Sequence, residues 1–335
     1  MSYENINVLV TGADGFIGSH LAEALVEKGA RVTALSAYYS LDNAGWLDEL
    51  PAEIRASMTI LRGDIRDPAF VRRIMKGQAI VFHLAALIAI PHSYATPQSY
   101  VETNVLGTLN VLEAARELET QRVVHTSTSE VYGTAITIPI EESHPLQGQS
   151  PYSASKIGAD MMAEAFARSF DLPIVTLRPF NTFGPRQSER AIIPSIIRQA
   201  LDPRCDAILV GDTTPRRDLT FVADTVAAFL ALGREFEVHY GTAYNAGNGQ
   251  TISVAELIRA ILRTVGSEKP LVQDPQRMRP ANSEVRALLA DASRLRLATA
   301  WEPRVSLEEG LERTVAWWKL RLERGRVRPT IQFMT

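Results

Sequence analysis

The sequence predicts an α/β fold built on a doubly wound parallel sheet, with a smaller α/β lobe toward the carboxyl terminus. Short apolar runs rich in β-branched residues alternate with helical segments up to about residue 178. This alternation is typical of strand–helix–strand units in a parallel sheet. Beyond that point prolines and glycines become frequent and the candidate strands become shorter and less regular.

The elements of the sheet follow one another in a regular order. A first strand is predicted at residues 7–10, and the next helix has apolar residues at helical spacing before Gly29 ends it. Two long helices are predicted at residues 97–118 and 153–170, and further strands are predicted at 31–35, 58–61, 80–84, 122–126 and 174–177. Helical crossovers between parallel strands are right-handed, so these elements make one sheet covered on both faces.

The second half has two clear helix starts. Ser253 precedes Glu256, and Ser306 precedes Glu309, by the three residues of a capping box. The chain has 335 residues, which corresponds to about two domains at roughly 100–200 residues each. We expect a first domain at residues 1–178 and mainly a substrate lobe at 179–335, with segments near 218–245 returning to the first domain.

The composition is that of an ordinary globular protein, with 46% hydrophobic and 22% charged residues and a net charge of −3. No strong positive field would attract nucleic acid, and the arginine-rich run 319–328 is typical of a solvated helix end. The apolar run 79–90 is shorter than the roughly 20 residues that span a bilayer. The amino terminus lacks the features of a signal peptide, and the single cysteine, Cys205, allows no intrachain disulfide. We therefore expect a cytoplasmic protein without nucleic-acid or membrane partners.

A glycine loop follows the first strand and opens the first helix. Its spacing is Gly12-x2-Gly15-x2-Gly18, and glycines here let the backbone approach a dinucleotide pyrophosphate at a helix amino terminus. The second strand lacks the acid that reads the ribose of NAD and the arginine that reads NADP. It ends instead in Ser36-Ala37-Tyr38-Tyr39. Asp64, after the third strand, is a candidate for the adenine edge, or else a turn cap.

A tyrosine and a lysine lie four residues apart at the start of the helix predicted at 153–170. Tyr152 and Lys156 can therefore share one helix face. An unperturbed tyrosine titrates near ~10, so work as a base near neutrality needs a lower pKa. A nearby ammonium and a bound cationic nicotinamide would lower it.

The ordered motifs resemble the extended short-chain dehydrogenase/reductases that act on nucleotide sugars, the NAD-dependent epimerase/dehydratase family. The match runs nearly end to end and closes with Trp301-Glu302-Pro303. Its other motifs are the glycine loop, His83-Leu84-Ala85-Ala86, Thr126 to Gly133, Tyr152-x3-Lys156 and Arg178-Pro179-Phe180-Asn181. Within the family, Glu130 resembles the glutamate of the 4,6-dehydratases and of the UDP-glucuronate decarboxylases. The stretch 85–94 looks most like dehydratases of the legionaminic-acid type, which act on nucleotide-linked N-acetylglucosamine. Ser129 departs from the Asp–Glu pair of the dTDP-glucose dehydratases and resembles the GDP-mannose dehydratase arrangement.

The resemblance implies roles for particular residues. Tyr152 would take the proton of the carbon-4 hydroxyl, and Glu130 would take the carbon-5 proton. The implied catalytic set is Thr128, Ser129, Glu130, Tyr152 and Lys156. The cofactor is NAD, with NADP not excluded, and its implied ligands are Gly12, Asp14, Gly15, Phe16, Ile17, Gly18, Ser36, Asp64, Ile65, Leu84, Ala85, Ala86, Tyr152 and Lys156.

The substrate expected at this site is a nucleotide-diphosphate sugar. Arginine suits phosphate because its guanidinium offers a planar fork of donors. The candidate contacts are His92, Asn181, Arg186, Arg217 and Arg279. His83 lies within an apolar strand and is interpreted as a core histidine. No cluster of metal ligands is found, and Cys205 receives no role.

The leading hypothesis is a nucleotide-sugar 4,6-dehydratase, that is, a carbon–oxygen lyase with a recycled nicotinamide. The alternatives are a UDP-glucuronate decarboxylase, a 4-epimerase, a variant that keeps a 5,6-alkene, or a cofactor-sensing binding protein without turnover. The two long helices commonly pair in this family as a four-helix bundle, so we also expect a homodimer.

Overall fold

The computed structural model describes residues 2–41, 43–235, 237–277 and 285–327. Its strands are β1 (Asn7–Thr11), β2 (Arg31–Ala37), β3 (Met58–Gly63), β4 (Ile80–His83), β5 (Arg122–Thr126), β6 (Ile174–Pro179), β7 (Asn181–Phe183), β8 (Ile208–Val210), β9 (Arg216–Phe221), β10 (Thr242–Ala246), β11 (Thr251–Ser253) and β12 (Leu271–Gln273).

The α-helices include two long ones and several short ones. They are α1 (Phe16–Glu27), α2 (Ala52–Ala56), α3 (Pro68–Met75), α4 (Ile90–Ala95), α5 (Pro97–Tyr100), α6 (Gly107–Glu117), α7 (Pro151–Phe170), α8 (Ile192–Leu201), α9 (Val222–Arg234), α10 (Val254–Val265), α11 (Ser293–Thr299) and α12 (Leu307–Glu323). Short 3-10 segments lie at Gly45–Glu49, Ser129–Tyr132 and Pro275–Arg277, and a π-helical segment lies at Val101–Leu106.

The main sheet, as far as the chain is described, has seven strands in the order β10-β6-β5-β4-β1-β2-β3. Every neighbouring pair is parallel. Helices α1 and α9 pack against each other on one face, and α3, α6 and α7 form the other layer. Burial on both faces explains why β4 and β6 are apolar along most of their length. The predicted doubly wound α/β fold is confirmed.

Strand order reverses between β1 and β4, because the chain moves outward from β1 in opposite directions. Loops leaving the carboxyl ends of strands diverge there and leave a crevice in which ligands bind. The glycine loop follows β1, the His83 motif follows β4, and the segment containing Glu130 follows β5. The topology therefore brings three of the sequence motifs to one edge of the sheet.

The second half contributes to this sheet as well as to smaller ones. Strand β10 pairs with β6, so a segment from the region near 218–245 lies at the sheet's edge. A mixed sheet has the order β11-β9-β7, and β12 pairs with β8. The division at residue 178 remains a prediction.

Two predicted helices differ in detail. The helix predicted at 97–118 is interrupted by the π-helical segment Val101–Leu106. Helix α7 begins at Pro151, two residues before the predicted start, because Ser150 and Ser153 form a reciprocal cap. Ser253 and Glu256 also form the predicted capping box, and Ser306 accepts the amide of Glu309.

Candidate active site

The glycine loop is shaped by close packing within the protein. Gly12 has φ +69°, and a Cβ there would lie 2.8 Å from the Ala85 amide nitrogen. A Cβ on Gly18 would lie 2.1 Å from the Gly12 carbonyl oxygen. Helix α1 has neither a side-chain cap nor an acidic residue in its first turn, whereas α10 and α12 are capped by serine. An amino terminus left open in this way fits a pyrophosphate group.

Thr11, at the end of β1, joins the glycine loop to the segment after β4. Its Oγ1 accepts the amides of Leu84 and Ala85, each at 3.1 Å, and lies 2.9 Å from His83 Nδ1. The other ring nitrogen of His83 contacts Thr108 Oγ1 at 3.0 Å. His83 is therefore a buried, fully partnered core histidine, as the sequence predicts.

Two carboxylates, those of Asp14 and Asp64, lie at the carboxyl ends of β2 and β3. Asp14 Oδ2 accepts the Ala37 amide at 3.3 Å, close to Ser36. Asp64 accepts two hydrogen bonds from the Arg66 guanidinium, at 2.9 and 2.5 Å, and one from the Arg66 amide. Hydrogen bonding by Arg66 lowers the pKa of Asp64. The structure thus places Asp64 in a turn with its own ion pair, and Ile65 is buried behind it.

The segment after β5 brings the predicted catalytic residues together. Thr128 begins the 3-10 turn Ser129–Tyr132 and its hydroxyl accepts the Glu130 amide at 3.2 Å. Tyr152, in the first turn of α7, is 7% exposed. Burial raises the pKa of Tyr152, the charge of Glu130 raises it further, and a hydrogen bond with Thr128 opposes both. Tyr152, Thr128 and Glu130 therefore share one site, and Ser129 is buried beside it.

The expected lowering of the Tyr152 pKa is not supplied by these protein groups alone, because burial outweighs the Thr128 hydrogen bond. The nearby Lys156 is buried, and its Nζ donates to the Thr126 carbonyl at 2.6 Å. Burial lowers the pKa of Lys156 to about 8, while Asp160 acts in the opposite direction. A cationic nicotinamide beside the phenol is the remaining group that would favour the phenolate.

A buried polar cluster that the sequence motifs did not indicate lies beneath Lys156. Asp160 accepts hydrogen bonds from Ser127 at 2.7 Å and from the Arg178 guanidinium at 3.1 and 3.2 Å. His125 Nε2 lies 3.1 Å from the other Asp160 oxygen. The spacing Tyr152-x3-Lys156-x3-Asp160 places all three on one helix face, which was the available signal for Asp160.

The loop after β4 is held by a second residue that the sequence reading missed. Asn104 bonds both the amide and the carbonyl of Leu87, at 2.8 and 2.9 Å, and donates to Ser155 Oγ at 2.9 Å. Tyr100 packs edge-on against Tyr152, with ring centroids 6.3 Å apart, and also faces His92. His92 is exposed.

The predicted substrate contacts differ in their surroundings. Asn181 Oδ1 is buried and has no hydrogen-bond partner, and such an orphaned acceptor is expected where a ligand binds. Arg217 lies on β9, half-buried, and donates to the Arg216 carbonyl at 3.0 Å. Arg186 forms an ion pair through Nη2 with Glu23 of α1 at 2.7 Å, while its Nη1 is buried without a hydrogen-bond partner. Arg279 lies outside the described residues.

Two general properties hold for the described part of the chain. No group of three or more His, Cys, Asp or Glu residues is placed to hold a metal ion. In the same residues, no helix combines the length and apolar character needed to cross a membrane.

The parallel sheet, the open helix terminus after β1, and the Tyr152–Lys156 pair define an extended short-chain dehydrogenase/reductase. The family model described as GDP-mannose 4,6 dehydratase matches residues 9–314. The chain belongs to this family. The resemblance found in its motifs is thereby confirmed.

Relatives in this family carry out more than one reaction. The chain is 36% identical to a dTDP-glucose 4,6-dehydratase of Streptomyces griseus, covering 93% of this chain and 94% of the relative. It is 33% identical to a UDP-glucose 4-epimerase of Mycolicibacterium smegmatis, with 94% and 99% covered. The crystal structure of the dTDP-glucose 4,6-dehydratase DesIV from Streptomyces venezuelae, which contains NAD, matches with a TM-score of 0.83 and 30% identity, covering 97% and 99% of the two chains. The chain is thus an NAD-dependent enzyme of the nucleotide-sugar dehydratase and epimerase group.

Proposed function

We propose that the protein is a nucleotide-sugar 4,6-dehydratase, which converts an NDP-hexose or NDP-N-acetylglucosamine to the 4-keto-6-deoxy sugar. The observation that carries the proposal is the carboxylate of Glu130 close to the Tyr152 phenol, where its charge raises the phenol's pKa. Epimerisation at carbon 4 requires a tyrosine base for the carbon-4 hydroxyl and a hydride acceptor, but no base for carbon 5. A carboxylate in this position has a use in elimination.

The roles proposed for the side chains follow from their positions. Bound NAD supplies a hydride acceptor for carbon 4 and later a hydride donor for carbon 6. Tyr152 accepts the proton of the carbon-4 hydroxyl while Thr128 holds the same oxygen. The resulting ketone acidifies the proton on carbon 5, which Glu130 removes as the general base. The carbon-6 hydroxyl then leaves as water with the proton that Glu130 returns, assisted by Ser129, and carbon 5 takes a proton from solvent when hydride is delivered to carbon 6.

The substrate's diphosphate is assigned to the side of the site lined by the second half of the chain. Asn181 offers an amide donor to the phosphates, its buried, unpartnered Oδ1 remains available to a hydroxyl of the substrate, and Arg217 offers a cation on the neighbouring strand. The assignment of N-acetylglucosamine as the sugar rests on the legionaminic-type sequence pattern of residues 85–94.

The proposal is tested with a panel of UDP-, GDP-, dTDP- and CDP-linked hexoses and N-acetylhexosamines. We expect at least one substrate to lose water, detected by mass spectrometry, and the product to carry solvent deuterium at carbon 5 in D2O. Formation of a 4-epimer without loss of mass would contradict the proposal. Loss of carbon dioxide from a hexuronate, or a product that keeps a 5,6-alkene, would also contradict it.

The substitution Glu130→Gln tests the assigned base. We expect loss of elimination by about 100-fold or more, since general base catalysis contributes typically 10²–10⁴-fold. NAD content and thermal stability should remain unchanged, because the amide keeps the side chain's size. Glu113→Gln, an exposed change on α6, serves as the matched control. Elimination by the Glu130→Gln variant at the normal rate would remove Glu130 from the mechanism.

The proposal also includes a homodimer, formed through α6 and α7 with the neighbouring π-helical segment, and a cytoplasmic location. Support for the dimer comes from apolar side chains exposed on these helices. Cell fractionation is the direct check on the location.

A further inference from the structure

The carboxyl end of β2 lacks an acidic side chain, yet a carboxylate lies there. The strand ends at Ala37 and is followed by Tyr38 and Tyr39. Asp14 arrives from the glycine loop, 23 residues earlier, and its Oδ2 accepts the Ala37 amide at 3.3 Å. In doubly wound folds an acid at this strand end hydrogen-bonds the hydroxyls of the adenosine ribose. Here the charge has the same place in the fold but comes from another element.

Asp14 is held in this position from several directions. The amide of its neighbour Ala13 donates to the Leu35 carbonyl at 3.0 Å, and the Asp14 carbonyl accepts the Trp46 amide at 3.1 Å. Gly45 has φ +57°, and a Cβ there would lie 2.6 Å from the Asp14 carbonyl oxygen. The loop is thus packed between the end of β2 and the 3-10 segment Gly45–Glu49.

The surroundings of the carboxylate favour neutral hydroxyl donors over a further anion. Burial raises the pKa of Asp14, and hydrogen bonds from its own amide, from the Ala37 amide and from Ser36 oppose this rise. The charge of Asp14 in turn contributes to raising the pKa of Tyr39. A carboxylate has about four lone-pair positions, so the three hydrogen bonds from its own amide, the Ala37 amide and Ser36 leave about one position on Asp14 for a ribose hydroxyl.

We propose that Asp14 is the ribose-reading acid of this protein: it accepts the 2′-hydroxyl of the adenosine ribose and selects NAD over NADP. The 2′-phosphate of NADP would bring negative charge against a partly buried carboxylate. Arg62, opposite Ser36 on β3, is the nearby cation that could favour that phosphate, so the balance between Asp14 and Arg62 decides the preference. The inference rests on the NAD site and does not depend on the sugar chemistry proposed above.

The test measures binding and not turnover. Dissociation constants for NAD, NADP and NAD lacking the adenosine 2′-hydroxyl are measured by calorimetry on the wild type and on Asp14→Asn, Asp14→Ser and Glu27→Gln, each freed of bound cofactor. Glu27 is an exposed carboxylate at the other end of α1, so its variant repeats the change in charge away from the loop. Circular dichroism and thermal unfolding show that each variant is folded.

We expect the wild type to prefer NAD by at least tenfold. Asp14→Asn and Asp14→Ser should weaken NAD binding by about 10- to 100-fold, the range for a lost hydrogen bond to a charged group. NADP binding should change by less than threefold, so the preference for NAD should fall by at least about threefold. Loss of the 2′-hydroxyl should weaken binding to the wild type but not to the variants. Glu27→Gln should behave as the wild type.

Three outcomes would overturn the inference. Equal weakening of NAD and NADP would show that Asp14 only holds the loop against β2. An unchanged preference in both Asp14 variants would remove it from recognition, and a wild type that prefers NADP would assign the decision to Arg62. Because no sugar is present, none of these outcomes bears on the dehydratase proposal.

Discussion

At the scale of single residues, Asp160 links the catalytic pair to the protein core. It lies one helical turn after Lys156, is 2% exposed, and binds Ser127 and Arg178. Burial alone would raise its pKa, but His125, Arg178 and Lys156 outweigh burial and hold the pKa below its usual value. Asp160 is therefore a carboxylate at neutral pH, and its charge raises the pKa of both Lys156 and Tyr152.

Asp160→Asn should move the whole pH profile of kcat/KM toward lower pH. Removal of the negative charge lowers the pKa of Tyr152, which moves the rising limb, and the pKa of Lys156, which moves the falling limb. The free energy of unfolding should fall by about 3 kcal/mol, because Arg178 keeps its buried charge without a counter-charge. The pH profile and urea unfolding are the measurements, with Asp171→Asn, at the exposed end of α7, as the control. A less stable variant whose pH profile has not moved would reduce Asp160 to a structural role.

Sequence motifs identified the residues proposed to do chemistry more readily than the residues that position the site. Tyr152 and Glu130 belong to short, ordered motifs. Asn104 does not, and Leu87, whose amide it accepts, lies 17 residues away. Thr11 opens the glycine-loop motif, but its partner Leu84 lies 73 residues away. A buried threonine or asparagine can be identified as a positioning residue only when the fold shows which groups its side chain hydrogen-bonds. The ion pair of Arg186 with Glu23 could not be predicted from the sequence for the same reason, since the two residues are 163 positions apart. A contact of Arg186 with the substrate stays a prediction.

At the scale of elements, the π-helical segment Val101–Leu106 explains how Asn104 reaches the loop after β4. Single π turns inside α-helices are frequent at functional sites, because they redirect a side chain without ending the helix. Asn104 is 1% exposed and bonds Leu87 and Ser155, so it ties the loop to α7. Its own carbonyl accepts Thr108 Oγ1 at 2.7 Å. The interruption therefore positions the cofactor side of the site.

Asn104→Ala should lower the free energy of unfolding by about 2 kcal/mol, since it leaves the buried amide and carbonyl of Leu87 without these partners. NAD affinity should also fall severalfold, because Ala85 and Ala86 directly precede the loosened residue. Urea unfolding and calorimetric titration with NAD measure the two effects. Gln98→Ala, an exposed change on α5, should alter neither. Wild-type stability in Asn104→Ala would contradict the proposed tie.

The main strands were predictable where burial on both faces requires consecutive apolar residues, as in β1 and β4. Four strands are only three residues long, which is too short for an apolar pattern to predict them: β7, β8, β11 and β12. They form because each pairs with an adjacent strand. The π-helical segment was not predictable either, because the pattern of its six residues is that of an ordinary α-helix. The local sequence pattern therefore predicts the strands that are buried within the main sheet, whereas the short strands depend on pairing with a strand that is distant in the sequence.

At the scale of the whole molecule, one surface remains apolar after the single chain has folded. The π-helical segment packs against α7 where Val105 faces Gly158, with 3.2 Å from a Cβ built on Gly158 to Val105 Cγ2. Close to this contact Val101, Leu106 and Met161 are 50%, 48% and 42% exposed. A cluster of exposed apolar side chains on two packed helices favours an isologous interface with a second copy, which would complete a four-helix bundle.

Leu106→Asp and Met161→Asp should each convert a dimer into a monomer at micromolar concentration, because a carboxylate at the centre of an apolar interface is desolvated without a partner. Size-exclusion chromatography with light scattering gives the mass directly. Leu297→Asp is the matched control: Leu297, on α11, is 85% exposed, so the same change there should leave the dimer intact. The folded state of each variant is checked by circular dichroism, and NAD binding should persist in the monomers, since the glycine loop lies on a different part of the sheet edge. A wild type that is monomeric at micromolar concentration would refute the dimer, and dimers of both aspartate variants would place the interface on another surface.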